Sequence, residues 1–494
     1  MGRAGDDERL VAAVRAGDAE EVRRLPAVGA DPDTLGEDGL PVLCAAVAAF
    51  DADVAGALVE AGADPDARTE DGLPVLCAAV AAYDAETARA LVAGGADPDR
   101  ELPDGTTPLY RAIDGGSPAV VDAVLGPEPR LRLPETARER LLALARRWYE
   151  SGVEAELRRA PGASGPARTV LVEDSEDSPV RQVTLGGRTV REGHGAILTS
   201  LEWAFRVLTP VDALVARAVT HPDAGWEHPA WSAARCVLSE RRSRETWSAL
   251  AAYRHHPDPA HRRFAVEALW SVSVFRWNHG DSYERDTAEL LADWALEEPD
   301  DGVLTQILRT FNYLEHPGHE ELGLRFAGHA HPLVRVEAAC ALADEDVPLT
   351  PAARAALLGL AGDPDALVRA AAGEMLADRH DLSDEVTGAL LALVADPDAD
   401  VRRKAAAALA TSRDRSPAVV AALWALLDED DQSLRLEGAF GLARRDDPRT
   451  EEAYRRVGPL VGPLAGPESE HDHRPTELLH HRWRLEGRSA TAET

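Results

Sequence analysis

Tryptophan, arginine and histidine are concentrated in the middle of this 494-residue sequence, where seven of the ten tryptophans lie between residues 203 and 294. Tryptophan and arginine are enriched at the energetic centres of protein interfaces, and aromatic side chains alternating with basic ones also suit single-stranded nucleic acid. Alternatively, the tryptophans fill gaps in a core built mainly from alanine and leucine. The candidate partner-binding residues of this region are Trp226, Trp231, Trp247, Arg254, Arg262 and Arg263.

The C-terminal tail holds a second group of chemically capable residues, His471-Asp472-His473 and Glu477-x-x-His480-His481. A Glu-x-x-His spacing places two metal ligands on one face of a helix. A di-iron bundle, however, needs that motif twice together with two further carboxylates. A solvated terminal helix is the simpler interpretation, so the sequence predicts neither a metal site nor a cofactor.

The sequence lacks the common motifs of catalysis. Its one lysine, Lys404, stands in VRRKAAAA rather than in the G-x-x-x-x-G-K loop that cradles phosphates. Neither H-E-x-x-H nor G-x-S-x-G occurs, and DPDAD at 396–400 lacks the glycine and the final glutamate of a calcium loop. We therefore predict no catalytic residues and a non-enzymatic protein. The strong preference for arginine over lysine indicates a GC-rich bacterial genome.

The net charge of −33 is unevenly distributed. Residues 1–126 contain 9 basic and 25 acidic side chains, and residues 291–447 contain 14 and 30, whereas residues 127–290 contain 23 of each. Acidic segments repel phosphate backbones. A basic protein is therefore the favoured partner, and nucleic acid is not expected.

Features of export and membrane insertion are missing from the sequence. It has no run of about 18 apolar residues, and its N-terminus, MGRAGDDERL, is acidic where a signal peptide would be apolar. The four cysteines form no C-x-x-C pair. We expect a cytoplasmic protein without membrane association.

A 33-residue period runs through the first quarter of the chain. GADPD recurs at 29–33, 62–66 and 95–99, and DGLPVLCAAV at 38–47 is repeated at 71–80 and followed by DGTTPLYRAI at 104–113. This pattern resembles the ankyrin repeat, D-G-x-T-P-L-H-x-A-A, with Cys44, Cys77 and Tyr110 at the histidine position. The resemblance implies a turn and two short helices per unit, and partner binding through hairpin tips and the inner helix face.

Four such units are predicted, at about 8–33, 34–66, 67–99 and 100–131. Their frame is constant while the hairpin tips vary, as expected of a recognition surface but also of an unconstrained one. Phe50 and Tyr83 recur beyond the inner helix and suit packing as well as contact. The candidate partner-binding residues at the tips are Leu35, Arg68, Thr69, Glu101 and Leu102.

The C-terminal half repeats as well, with a Val-Arg or Leu-Arg pair beginning at residues 334, 368, 401 and 434. This resembles HEAT-like repeats of the bilin-lyase type, whose mark is D-P-x-x-x-V-R-x-x-A-A-x-A-L, and implies about seven helix pairs between 205 and 446. The recurring arginines are Arg335, Arg369, Arg402 and Arg435. They either grip an acidic partner or pair with neighbouring aspartates (Asp365, Asp398) at helix N-termini, and the second interpretation is favoured because the aspartate recurs with the arginine.

Two runs in which apolar and polar residues alternate, one on each side of Gly186-Gly187, predict a β-hairpin within residues 167–193. The predicted fold is otherwise all-α, with two α-solenoids, an ankyrin array and a HEAT-like array, joined by the segment with the hairpin. The predicted domains are the ankyrin array at 1–131, a helical junction with the hairpin at 132–204, the HEAT-like solenoid at 205–446 and a tail at 447–494.

The sequence thus predicts a non-enzymatic interaction scaffold or adaptor that binds a protein on concave repeat surfaces. One alternative is an immunity or antitoxin-type protein that masks a basic partner. Others are a bilin lyase or chaperone, by analogy with the HEAT-like family alone, and a nucleic-acid-binding HEAT protein. The oligomeric state is not predicted.

Overall fold

The chain divides into two units, Met1–Phe275 and Arg276–Thr494. The structure is a computed structural model that describes residues 3–160, 164–176, 178–221, 227–274, 283–343, 348–377, 383–461, 464, 472–477 and 480–481. Across these residues, no helix combines the length and the apolar character needed to cross a membrane. The fold is helical apart from one small sheet, as predicted.

The first unit begins with four pairs of short helices. They are α1 (Arg3–Ala16), α2 (Ala19–Ala27), α3 (Val42–Ala48), α4 (Ala52–Glu60), α5 (Val75–Ala82), α6 (Ala85–Ala93), α7 (Pro108–Gly115) and α8 (Pro118–Leu125). The second helices of the pairs, α2, α4, α6 and α8, begin 33 residues apart, and so do the inner helices α3, α5 and α7. The structure therefore has the predicted 33-residue period.

The second helix of every pair begins at the same kind of cap. Asp18, Asp51, Asp84 and Ser117 each accept a hydrogen bond from the backbone N–H three residues further on, at 2.9 to 3.2 Å. Such a cap stabilises a helix by about 1 kcal/mol. Because these helices have only eight or nine residues, the caps are a large part of what defines their start.

The final aspartate of the GADPD block joins neighbouring repeats. Oδ1 of Asp33 accepts from the backbone N–H of Asp64 at 2.7 Å, and Oδ1 of Asp66 accepts from that of Asp97 at 3.1 Å. Asp99, the next in the series, accepts from the guanidinium of Arg132. Hydrogen bonds to a charged group contribute about 1.5–3 kcal/mol, so the repeated block fixes how successive units stack.

A helical junction and a three-stranded sheet follow the fourth pair. The elements are α9 (Pro129–Arg132), α10 (Glu135–Ser151), α11 (Val153–Arg159), β1 (Arg168–Ser175), β2 (Ser178–Leu185), β3 (Arg188–Arg191) and α12 (His194–Ala204). The strands form an antiparallel meander in the order β1-β2-β3. Gly186 and Gly187, with φ of 58° and 80°, form the two-residue turn between β2 and β3. The predicted hairpin is confirmed, with one further strand.

The sheet docks on the repeats through polar contacts at both ends. Asp174 of β1, only 8% exposed, accepts from the backbone N–H of Ala119 at 2.8 Å and pairs with Arg191 of β3 at 2.7 Å. One hydrophobic core extends from Leu10 to Phe205. The repeats, the junction and α12 therefore form a single packed body.

Tyr83 connects the sheet to the inner helices. Its hydroxyl donates to the backbone carbonyl of Thr189 at 2.9 Å and lies 3.2 Å from that of Gly115. The Arg191 guanidinium lies 4.2 Å from the centroid of the Tyr83 ring, a cation–π contact. Strand β3 thus runs beside the C-terminal end of α5.

Seven further helix pairs lie between residues 211 and 444 of the described chain, the predicted number. The first unit contains α13 (Val211–Ala218) with α14 (Pro229–Arg241) and α15 (Arg244–Ala252) with α16 (Pro259–Val274). The second unit contains α17 (Glu284–Glu297), α18 (Asp301–Phe311), α19 (His319–Phe326), α20 (Pro332–Ala341), α21 (Pro351–Leu360), α22 (Ala366–Ala377), α23 (Asp384–Val394), α24 (Ala399–Thr411), α25 (Pro417–Ala425), α26 (Gln432–Arg444) and α27 (Thr450–Val457). Within it, α18, α20, α22, α24 and α26 stack in one row.

The recurring arginine of the second array holds the turn before its own helix. Nη1 of Arg335, Arg369, Arg402 and Arg435 donates to the two carbonyls five and six residues upstream, at 2.7 to 3.1 Å. In the first unit Arg262 makes the same two contacts, with the carbonyls of His256 and Pro257. These arginines are therefore structural, as favoured from the sequence.

Two of these arginines also bind the following repeat. Arg335 forms a bidentate ion pair with Asp363, and Arg369 forms one with Asp396, at 2.7 to 2.8 Å. The expected partners Asp365 and Asp398 instead accept from backbone N–H groups at the helix starts. Arg335 and Arg369 thus form a ladder between repeats, but its carboxylates are Asp363 and Asp396, each two positions before an expected partner.

Asp396→Asn tests the ladder. Its side chain is 7% exposed, so the substitution should lower the free energy of opening α22 and α24 by about 2 kcal/mol at neutral pH, measured by hydrogen exchange. Because Arg369 holds the pKa of Asp396 below its ordinary value, the stabilisation exists above the unfolded-state pKa of about 3.9 and is lost as the pH falls through the lower folded-state pKa. The stabilities of the native chain and Asp396→Asn should differ fully above about pH 4 and converge as the pH falls through the lower folded-state pKa of Asp396.

The matched control is Asp400→Asn, since Asp400 is 73% exposed and pairs with Arg403 on the surface. A change of less than about 0.5 kcal/mol is expected there. Equal effects of the two substitutions would contradict the ladder.

Tyr83→Phe tests the docking of the sheet. Loss of the hydroxyl leaves the Thr189 carbonyl without its donor, so the amides of β3 should exchange about five to ten times faster, corresponding to about 1 kcal/mol. Tyr454→Phe is the control, because it removes a hydroxyl that donates to the Arg474 carbonyl at 2.6 Å in the other unit. Unchanged exchange in Tyr83→Phe would show that the sheet is held by other contacts.

Candidate functional site

The candidate residues on the hairpin tips differ in their accessibility. Leu35, Arg68 and Glu101 are exposed, whereas Thr69 is half-buried. Arg68 and Thr69 also donate side-chain hydrogen bonds to carbonyls of their own hairpin, at 2.7 and 3.2 Å. These four residues border the inner helices from the hairpin side.

Leu102 differs from the expectation because it belongs to the core, with 5% of its surface exposed. It occupies the repeat position of Thr69, but its hairpin is covered: α10 packs against α7, and Arg140 donates to the Gly105 carbonyl at 3.1 Å. The third tip therefore offers no leucine side chain to a partner.

Two of the candidate tryptophans of the middle region, Trp231 and Trp247, pack inside the helix pairs. Trp231 is fully buried, and its indole N–H donates to Glu267 at 2.7 Å. Trp247 is 9% exposed, with the Arg244 guanidinium 4.3 Å from its ring centroid. The interpretation as core filling accounts for both residues.

The arginines of this region also have structural partners. Arg262 is 7% exposed and holds the turn before α16. Arg254 and Arg263 are half-buried, and Arg263 lies 5.6 Å from the Trp231 ring centroid. Trp226 lies outside the described residues. Arg262 is therefore not accessible to nucleic acid, the partner in one of the alternative interpretations of the sequence.

The inner helices α3 and α5 present a face of alanines next to one exposed phenylalanine, which we call the open face. Its members are Ala45, Ala48, Ala49, Phe50, Ala78, Ala81 and Ala82; all are exposed except Ala78, which is half-buried. They follow from the repeat, since 45 and 78, 48 and 81, and 49 and 82 are 33 positions apart. In the next repeat the equivalent residues are Arg111, Asp114 and Gly115.

Phe50 marks the end of the open face that is away from the sheet. It is 63% exposed and has a left-handed φ of 58°. Tyr83, one repeat further, has a φ of 61° and binds β3. At the third equivalent position stands Gly116, where a Cβ would lie 2.0 Å from the Arg191 carbonyl oxygen. The same repeat position is thus exposed to solvent at Phe50, bound to strand β3 at Tyr83 and covered by strand β3 at Gly116.

Acidic side chains border the open face on its hairpin side. Glu37, Asp38, Glu70, Asp71 and Asp104 are exposed and directly precede the inner helices. Hydrogen bonds from the side chain and backbone of Thr106 lower the pKa of Asp104 to about 2, and Arg15 lowers that of Glu37. Glu37 and Asp104 are ion-paired with Arg15 and Arg111, and Asp38, Glu70 and Asp71 are the further exposed carboxylates of the border.

Cys44 and Cys77 of the first unit and Cys340 of the second are not activated for nucleophilic chemistry. Burial raises the pKa of Cys44 and of Cys77, and it raises that of Cys340 to about 11. A thiol with a raised pKa is protonated at neutral pH and reacts poorly.

The tail packs on α26 and α27 where it is described. Arg474 pairs with Glu437 at 2.6 Å and with Asp472, and its carbonyl accepts from Tyr454. His480 lies 3.4 Å from Glu477, while His471 falls outside the described residues. Among the residues the structure describes, no group of three or more histidine, cysteine and acidic side chains is arranged to hold a metal ion.

Protein-family models match both arrays. The model of ankyrin repeats in three copies covers residues 43–132, and the model of HEAT repeats covers residues 355–443. The bilin-lyase subtype remains a prediction. No curated protein matches the chain. Both repeat types generally serve as protein-interaction scaffolds, and the chain carries an N-terminal array of ankyrin repeats followed by an array of HEAT repeats.

Proposed function

We propose that the protein is a non-enzymatic scaffold whose open face binds an extended, arginine-containing segment of a basic protein partner. The observation that carries the proposal is Phe50, a large apolar side chain exposed at a position where the next repeat uses Tyr83 to hold a strand. Leu35, Arg68, Thr69 and Glu101 belong to the proposed site because they border the same helices.

The backbone at Phe50 supports a binding role. A left-handed conformation costs a residue with a side chain about 1 kcal/mol, and burial of the ring within the chain does not offset that cost because 63% of the residue is exposed. A partner that covers the ring would gain about 2 kcal/mol from its burial. The strained conformation holds the ring in place before binding.

The small residues of the open face support an extended occupant. Alanine side chains leave room for the larger side chains of a partner, as the β3 strand shows internally, where it runs beside Tyr83 with Arg191 over the ring. A partner segment that places an arginine over Phe50 would repeat that contact one unit further along. Aromatic and arginine pairs are typical of interface centres.

The acidic border supports a basic partner. The five exposed carboxylates, against the arginines Arg15 and Arg111, leave a surplus of negative charge along one edge of the face. Complementary charge raises association rates, and this effect is screened by salt. The partner's affinity should therefore fall as the ionic strength rises.

Phe50→Asp is the test. The native chain, Phe50→Asp and the control Leu208→Asp would serve as baits in cell extract, with quantitative mass spectrometry of the captured proteins. Leu208 is 77% exposed and lies away from the open face, so its substitution has the same chemistry without touching the proposed site. A basic protein captured by the native chain and the control, but reduced about tenfold or more on Phe50→Asp, would support the proposal.

The captured protein is then measured as a purified pair. A fall in affinity between about 0.1 M and about 1 M salt is expected. Capture that is equal on all three baits would contradict the role of the open face, and an affinity indifferent to salt would contradict the role of the acidic border.

A further inference from the structure

A cavity of about 210 Å³ lies within the first unit, apart from the open face. Its lining includes Trp148 and Tyr149 of α10, His194 at the start of α12, His221, and His228 just before α14. A cavity of about 150 Å³ accepts benzene, and sites for drug-sized ligands begin at about 300 Å³. The volume therefore suits a single bicyclic ring.

His194 lines this cavity and carries a buried, unsatisfied acceptor. Its Nε2 lies 2.9 Å from the Ile113 carbonyl, which can only accept, so Nε2 carries the ring proton and Nδ1 is a bare acceptor. The side chain is 2% exposed, and within the described chain no donor reaches Nδ1. A buried acceptor without a partner costs about 1–3 kcal/mol, which a ligand donor would recover.

His228 presents the opposite group. Its Nδ1 accepts from the backbone N–H of Ala230 at 3.2 Å, so in the neutral ring Nε2 is a donor. His221 stacks on it at 4.2 Å. Burial lowers the pKa of His194 to about 3, that of His228 to about 4, and that of His221 as well. All three rings are therefore uncharged at neutral pH.

The two charged side chains of the lining each have an ion-pair partner, although Oε2 of Glu192 makes no hydrogen bond within the described chain. Arg217 pairs with Glu202 at 2.6 Å, and Glu192 pairs with Arg181 at 3.3 Å. Trp148 stacks on His194 with centroids 5.1 Å apart and planes 10° apart, which gives the cavity an aromatic wall. An uncharged aromatic ligand matches these surroundings better than an ion.

We propose that this cavity binds a small, uncharged, planar heteroaromatic ligand that donates a hydrogen bond to Nδ1 of His194 and accepts one from Nε2 of His228. The site is independent of the partner proposed for the open face. It would make a small molecule part of the junction between the ankyrin repeats and the helix pairs that follow.

Three bicyclic probes of one shape test the proposal on the native chain by calorimetry. Benzimidazole has both a donor and an acceptor, benzoxazole lacks the donor, and indole lacks the acceptor. Benzimidazole should bind one to one, and each of the other two about tenfold more weakly. No binding of benzimidazole at about 1 mM, or equal binding of all three, would overturn the proposal.

His194→Phe assigns the recognition to its residue. The variant keeps the aromatic ring and should lose the preference for benzimidazole over benzoxazole. His319→Phe is the control, because His319 also places Nε2 2.8 Å from a carbonyl, that of Leu314, and stacks on Phe311 in the other unit. A preference that survives in His194→Phe would overturn the assignment, and if that variant does not fold, the three probes on the native chain still decide.

Discussion

The dependence of each short helix on the neighbouring copy is the constraint from which the rest of the structure follows. Helices of seven to nine residues, such as α3 and α4, are not stable alone in water, because nucleation is unfavourable and few hydrogen bonds repay it. Stacking supplies the missing apolar contacts and the missing polar partners together. Removal of one contact between repeats therefore affects both helices that share it.

The two arrays connect their neighbouring repeats through side chains of opposite charge, aspartate in the first and arginine in the second. In the ankyrin repeats an aspartate side chain accepts from the backbone N–H of the next unit, as Asp33 does from Asp64. In the HEAT repeats an arginine donates to backbone carbonyls of its own turn and, at Arg335 and Arg369, to a carboxylate of the next unit. These charges are used internally and are not available to partners. The acidic hairpin side chains that border the open face are instead exposed at the surface.

The sequence predicts what repetition controls. The 33-residue period, the four first pairs, the seven later pairs, the Gly186-Gly187 turn and the capping role of Asp398 follow from local chemistry and spacing. The burial of Leu102 does not, because it depends on α10, which belongs to no repeat and covers only the third hairpin. The partner of Arg369 is similarly fixed by the geometry of stacking, which places Asp396 rather than Asp398 opposite it.

The histidine cavity lies beyond sequence reasoning for the same reason. Its described lining residues come from 148–153, 192–195, 217–221 and 228–230, and no motif connects these segments. Phe50 was visible as a recurring aromatic, but its exposure depends on the sheet stopping at Tyr83. Composition alone allows the tryptophans to form either a binding surface or core filling, and only their burial decides, which makes Trp231 and Trp247 part of the core.

Gly116 limits how this protein can change its length over evolution. The sheet forms a lid over Gly116. This lid fits only a repeat without a side chain at that position, because the Arg191 carbonyl occupies the space where a Cβ would lie. Duplication of a unit such as 34–66 upstream of the lid would lengthen the array and add another alanine-lined segment. A copy of that unit inserted after Gly116 would place an aromatic residue beneath the lid and displace the lid. The array can therefore lengthen only on the N-terminal side of Gly116.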